Sequence, residues 1–177
     1  MAGLMAALTA VGALTAITVP LLSPVPFTLQ VLAVFLTAGL LSPRYAVLAQ
    51  GVYLLAGILG LPVFAGGARG LGVLLGPFAG YLWAYPAAAG LGSLVARRFA
   101  GGRAAGLAVA LIVIYAGGAA GLVVLGHLTL ERAVVLGVLP FIPWDALKAA
   151  LAYPVLGQLE VLLGPAPAPA MADSAPS

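Results

Sequence analysis

Charged side chains are scarce in this chain, which has only seven Lys and Arg and four Asp and Glu among 177 residues. They make up 6% of the sequence, and 64% of the residues are hydrophobic. A soluble domain carries about 25% charged residues, so this chain has too few to cover a globule folded in water. We therefore expect an all-α integral membrane protein, located in the cell membrane with most of its surface in lipid.

The hydrophobic sequence is divided into six segments by Gly/Pro clusters and by the few charges. The segments cover residues 3–22, 28–41, 45–61, 77–96, 104–126 and 143–163. A spanning helix needs roughly 20 apolar residues, so the pattern predicts one domain of six transmembrane helices over residues 1–164. The Pro/Ala-rich end, residues 165–177, is predicted to be a disordered tail. No room remains for a nucleotide-binding domain, so energy must come from a gradient or from partner subunits.

The arginines give the segments an orientation. With a cytoplasmic N-terminus, the inner loops hold Arg44, Arg97, Arg98 and Arg103. The outer loops then hold Arg69 and Arg132, and four against two agrees with the positive-inside rule. This predicts a multi-pass protein with both termini in the cytoplasm. The basic isoelectric point then reflects the membrane topology, and no nucleic-acid partner is expected.

Three irregular segments meet at the outer side in this topology: residues 24–30, 60–76 and 140–148. Irregular backbone at membrane depth is tolerated only where protein or a cavity covers it. The three segments therefore predict a lidded cavity that opens to the exterior.

An acid–base pair, Asp145 and Lys148, follows Pro143 at the start of the sixth segment. Pro143 suits the first turn of a helix, and a spacing of three places both side chains on one helix face. An ionisable pair inside a membrane helix is costly and is usually functional. We expect Lys148 to pair with an anion and Asp145 to accept N–H groups, each at a different end of a ligand. The alternative is an interfacial pair that snorkels to water.

Further candidates for ligand contacts lie in or next to the irregular segments: Phe27, Gln30, Phe64, Arg69 and Tyr81. Each has an ordinary alternative. The Gly-rich segment can be a flexible connector, Arg69 can be solvated, and Tyr81 can be an interfacial anchor. Thr28 is expected to cap the second helix.

Small residues recur every four positions along the first segment, at Ala2, Ala6 and Ala10. This spacing lets another helix pack closely. The pattern predicts either a contact with a partner protein or packing within the same bundle.

Other functional classes find little support. An enzyme needs a nucleophile with a base, or paired carboxylates, and the four acids, Glu131, Asp145, Glu160 and Asp173, lie apart in the sequence. The single histidine, His127, excludes a multi-histidine metal site, so no metal is expected. A stand-alone channel or proton-coupled carrier needs ionisable groups at mid-membrane, where no segment has one. The chain is therefore expected to bind a solute without catalysing a reaction.

Four motifs occur in the order found in one known family. They are PVPFTLQ at 24–30, GLPVFAGG at 60–67, LGP at 75–77 followed by GY at 80–81, and PF at 140–141 followed by Asp145 and Lys148. The chain resembles the BioY family, the biotin-binding S components of energy-coupling-factor (ECF) vitamin transporters. Phe78 and Ala79 stand where that family usually has Thr and Gly.

The resemblance implies a six-helix S-component fold that binds biotin with high affinity near the outer face. Biotin would be the transported ligand, with no cofactor, and the family's acid and base match Asp145 and Lys148. The first helix would contact a transmembrane coupling protein, and two ATPase subunits would drive uptake. A stand-alone small-solute carrier and an S component for a different vitamin stay open.

Overall fold

The computed structural model describes residues 1–98 and 101–163. These residues form seven α-helices and one two-stranded sheet. The elements are α1 Ala2–Leu14, β1 Ile17–Val19, β2 Ser23–Phe27, α2 Gln30–Leu40, α3 Pro43–Ile58, α4 Ala79–Arg98, α5 Arg103–Val124, α6 Leu130–Gly137 and α7 Ile142–Leu163. The predicted tail, residues 165–177, lies outside the described residues.

A β-hairpin takes the place of the second half of the first predicted helix. The prediction of a helix through residue 22 is wrong, because α1 ends at Leu14 and β1 and β2 pair antiparallel. Ile17, Thr18 and Val19 are β-branched and favour extended backbone. The prolines of β2 cannot donate to a ladder, which suits a strand in a two-stranded sheet.

The eight-residue helix α6 accounts for the seventh helix where six were predicted. It lies in the segment 127–142, which was predicted to be a connection. Thr129 caps it, since its side-chain oxygen accepts the backbone N–H of Arg132 at 3.4 Å. The chain then bends by 51° into α7.

The number of membrane spans stays a prediction. Among the described helices, α5 alone is unbroken, long and apolar enough to cross a bilayer by length and hydropathy. The bent pair of α6 and α7 qualifies as a second crossing if it is counted as one span. The helices α1 and α2 are apolar but have only 13 and 11 residues.

At one end of the bundle α2 and α4 finish and α3 and α5 begin, and we call this the arginine end. The helices pack closely there. Gly92 of α4 faces Gly106 of α5, and a Cβ atom on Gly106 would lie 2.5 Å from the carbonyl oxygen of Gly92. The guanidinium of Arg97 donates to the carbonyl oxygens of Gly39 and Leu40 at 3.4 and 3.1 Å. These bonds satisfy carbonyl groups that the end of α2 leaves without helical partners.

The opposite end, which we call the cavity end, is built from irregular backbone. The hairpin, the loop 59–78 and the starts of α2, α4 and α7 all lie there. The loop contains two short 3-10 turns, Ala65–Gly67 and Leu71–Leu75. The three irregular segments predicted from the sequence therefore do meet at one end of the bundle.

Candidate ligand-binding site

A cavity of about 390 Å³ opens at the cavity end. Its walls come from the hairpin, the loop 59–78 and the helices α2, α4, α5 and α7. Ligand pockets usually measure roughly 300–1,000 Å³ and are mostly apolar with a few placed polar groups. The cavity fits this description, because its lining is mainly aliphatic and aromatic and its charged residues are Asp145 and Lys148.

The predicted acid–base pair lies in the wall of this cavity. The Nζ atom of Lys148 is 2.6 Å from Oδ1 of Asp145, and the two residues are only 8% and 1% exposed. A snorkelling pair would keep its charged groups in water. The burial of both groups does not fit that alternative and favours a binding site.

Tyr115 also bonds to the pair, and no pattern in the sequence pointed to it. Its hydroxyl donates to Oδ2 of Asp145 at 2.8 Å from the facing helix α5. Both oxygens of the carboxylate therefore have a donor. Tyr115 is one aromatic residue in an apolar helix, and only the packing of α5 near α7 reveals its role.

The geometry of the pair changes what it is expected to bind. A carboxylate has about four acceptor positions and an ammonium has three N–H groups, so both groups keep capacity for a ligand. Because the two charged groups are 2.6 Å apart, both can contact the same part of a small molecule. The expectation that Asp145 and Lys148 bind different ends of a ligand stays a prediction, and this distance favours a shared contact.

Gln30 lines the cavity at the start of α2 and is only 3% exposed. Its Nε2 atom donates to the hydroxyl of Tyr53 at 2.6 Å, and its Oε1 atom accepts from Thr28 at 3.0 Å. Thr28 also accepts the backbone N–H of Gln30 at 3.3 Å, although the N-cap position itself is Leu29. The side chain of Gln30 is thus held in place, with one amide hydrogen left for a ligand.

Tyr81 and Phe64 also line the cavity. The hydroxyl of Tyr81 donates to the carbonyl oxygen of Gly137 at 2.6 Å. Phe64 is fully buried and lies edge-on to Tyr53, with 5.6 Å between the ring centroids. The Phe64 ring occupies the space where a side chain on Gly57 would stand, so this part of the Gly-rich segment is anchored on α3. Tyr81 is partly exposed and can offer apolar ring surface to a ligand, whereas Phe64 has no exposed surface and supports the cavity wall from behind, so a ligand contact by Phe64 stays a prediction.

Phe27 and Arg69 are not part of the cavity lining. Phe27 stacks on Phe141 with 4.3 Å between the ring centroids, and it lines a neighbouring groove beside Trp144. Arg69 is exposed on the loop. Ligand contacts by these two residues stay predictions, without support from their positions.

The small residues of α1 face the interior of the bundle. Ala6 is 7% exposed within the core, and Ala2 and Ala10 pack against the same core. Packing within the chain accounts for their spacing, as the second alternative expected. The outward face of α1 instead carries Leu4 and Val11, which are 62% and 59% exposed. A partner contact by Ala2, Ala6 and Ala10 stays a prediction.

Comparisons with known proteins agree with the resemblance seen in the motifs. The chain is 42% identical to the biotin transporter BioY of Thermotoga maritima over 154 residues, which cover 85% of this chain and 88% of that protein. It is 38% identical to the probable biotin transporter BioY of Pyrococcus horikoshii, over 89% and 92% of the two chains.

A solved structure has the same fold. The crystal structure of the S-component for biotin from an ECF-type ABC transporter superposes with a TM-score of 0.80 at 27% identity. The superposition covers 90% of this chain and 88% of that one. The family model described as BioY matches residues 1–164, and the chain therefore belongs to the BioY family.

Proposed function

We propose that this protein is a high-affinity biotin-binding membrane component that takes up biotin as the S component of an ECF-type ABC transporter. The observation that carries the proposal is the buried ion pair of Asp145 and Lys148 in the wall of a 390 Å³ cavity. The relatives named as biotin transporters and the biotin S-component structure support the choice of ligand. The chemistry is binding, with no bond made or broken.

The pair suits the ureido ring of biotin better than its carboxylate. A ureido edge presents an N–H donor next to a carbonyl acceptor, and the pair offers an acceptor next to a donor at 2.6 Å. A ligand carboxylate at Lys148 would instead lie close to the like charge of Asp145, which is unfavourable in a buried site. In this pose Asp145 accepts the N–H, Lys148 donates to the carbonyl, and the ring of Tyr81 covers an apolar part of the ligand.

The cavity faces the cell exterior in this proposal. Arg44, Arg97, Arg98 and Arg103 lie at the start of α3, the end of α4 and the start of α5, which belong to the arginine end. The positive-inside rule places that end in the cytoplasm. The N-terminus and the end of α7 then lie on the cytoplasmic side as well.

Partner subunits supply the energy for uptake: a transmembrane coupling protein and two ATPase subunits. We assign the contact with the coupling protein to α1. Ala6 is buried in the core, so its replacement by a bulky residue would disturb the bundle. The exposed Ala7 is a cleaner position for testing assembly, because Ala7→Leu changes the outer face of α1 only.

Calorimetry on the purified protein in detergent tests the ligand. We expect biotin to bind with one site per chain and with a lower Kd than any other vitamin tested. Binding of another vitamin in preference to biotin would identify an S component of different specificity. Biotin uptake by the chain alone in proteoliposomes would identify a stand-alone carrier.

A further inference from the structure

The hydrogen bond from Tyr115 joins two helices at the ligand-binding pair. Tyr115 lies on α5, whereas Asp145 and Lys148 share one face of α7. Its hydroxyl lies 2.8 Å from Oδ2, on the side of the carboxylate that Lys148 does not occupy. Tyr115, Asp145 and Lys148 all line the cavity. The bond thus fixes the carboxylate from across the bundle.

The other tyrosine hydroxyls with hydrogen bonds near the cavity are engaged elsewhere. Tyr81 donates to the carbonyl oxygen of Gly137, and Tyr53 accepts from Gln30. Neither bonds to the carboxylate of Asp145. The restraint on this carboxylate therefore comes from Tyr115 together with Lys148.

A carboxylate rotates easily about its terminal torsion, which has a broad energy profile. With Lys148 alone, Asp145 could turn both oxygens toward the ammonium. A donor on Oδ2 prevents this rotation and fixes the plane of the carboxylate. The remaining lone pairs then keep constant directions relative to the cavity, and a ligand N–H meets a preorganised acceptor.

We propose that Tyr115 is a positioning residue that sets the plane of the Asp145 carboxylate and so makes the site selective for ligands with an N–H donor beside a carbonyl. The proposal rests on the function proposed above, since it needs the ureido edge to lie at the pair. Tyr115 acts through Asp145, and its hydroxyl hydrogen is not available to the ligand.

The test is Tyr115→Phe, which keeps the ring and removes the hydroxyl. We expect the Kd for biotin to rise about tenfold, which corresponds to roughly 1.4 kcal/mol. Dethiobiotin, which keeps the ureido ring, should lose the same factor. Biotin methylated at the ureido nitrogens lacks the N–H donors and should lose less than twofold. Tyr45→Phe, at an exposed tyrosine of α3, is the control and should leave every Kd unchanged.

A second measurement separates positioning from a general structural role. In the Asp145→Ala background, adding Tyr115→Phe should change the Kd for biotin by less than twofold, because the carboxylate it positions is gone together with both acceptor oxygens. Equal losses for all three ligands, or a full tenfold loss on top of Asp145→Ala, would overturn the proposal. An unchanged Kd for biotin in Tyr115→Phe would also overturn it. A wild-type protein that does not bind biotin would instead contradict the proposed function.

Discussion

The two ends of the bundle use their few charged residues in different ways. At the arginine end, small residues bring helix backbones into contact, and Arg97 donates to the carbonyl groups where α2 ends. At the cavity end, the hairpin, the loop 59–78 and four helices surround a cavity, and Asp145 and Lys148 lie in its wall. Arg97 stabilises helix packing because it bonds to backbone carbonyl groups. Asp145 and Lys148 form a candidate binding site because they pair with each other in a cavity wall.

The largest expected effect comes from breaking the pair at the cavity end. Asp145→Asn and Lys148→Ala each leave a buried polar partner without its counter-charge, which costs about 3–5 kcal/mol when a buried pair is broken. We expect each variant to lower the thermal stability and to weaken biotin binding by more than about 1.5 kcal/mol. Thermal unfolding in detergent and calorimetry measure the two effects.

The double variant Asp145→Ala, Lys148→Ala is the control for the unpaired charge. It should be more stable than either single variant, since no lone charge stays buried, and it should not bind biotin. Unchanged affinity in both single variants would mean that the pair does not bind the ligand.

The second-largest effect, a loss of stability, is expected when the helices at the arginine end are forced apart. In Gly106→Ala the new Cβ atom would meet the carbonyl oxygen of Gly92 and lie 2.7 Å from Cβ of Ala96. Overpacking of this kind costs about 1–3 kcal/mol. We expect a lower unfolding temperature with a nearly unchanged Kd for biotin, because the cavity lies at the other end.

The matched control is Gly51→Ala in α3, where a Cβ atom would meet nothing within 4 Å. Alanine is the better helix former by up to about 1 kcal/mol, so this variant should be as stable as the wild type or more so. A loss of stability equal to that of Gly106→Ala would remove the packing explanation.

A smaller effect is expected between the two ends, where Gln50 is fully buried. Its Nε2 atom donates to the hydroxyls of Thr9 and Thr37, both at 3.1 Å. Each threonine also donates to a backbone carbonyl group of its own helix, so Gln50→Leu leaves neither hydroxyl without a partner. We expect a loss of about 0.6–1 kcal/mol, as for other hydrogen bonds between membrane helices, measured by thermal unfolding.

The smallest effect is expected at Arg69. Its side chain is exposed and lies outside the cavity lining, so Arg69→Ala should change the Kd for biotin by less than twofold. Arg132→Ala, at another exposed arginine, is the control. A tenfold loss confined to Arg69→Ala would mean that the loop 59–78 brings Arg69 to the ligand.

Continuous hydrophobic segments, divided by Gly/Pro clusters and charges, predicted the long helices well. The predicted segments 77–96, 104–126 and 143–163 agree within two residues at each end with α4, α5 and α7. The hairpin was missed because hydropathy does not distinguish an apolar strand from an apolar helix, although the β-branched run at Ile17 was a usable signal. The helix α6 was missed because it is short, although Thr129 was available as a cap.

The sequence by itself determined that the chain folds in lipid, and it identified the acid–base pair of Asp145 and Lys148. Scarcity of charge requires lipid around the surface, and the spacing of Asp145 and Lys148 places them on one face of one helix, since both are local properties. The tertiary structure decided which side chains meet across helices. In it, Tyr115 bonds to Asp145, Arg69 lies outside the cavity lining, and Ala6 packs in the core. These contacts join residues far apart in sequence, and only the packing of whole helices brings them together.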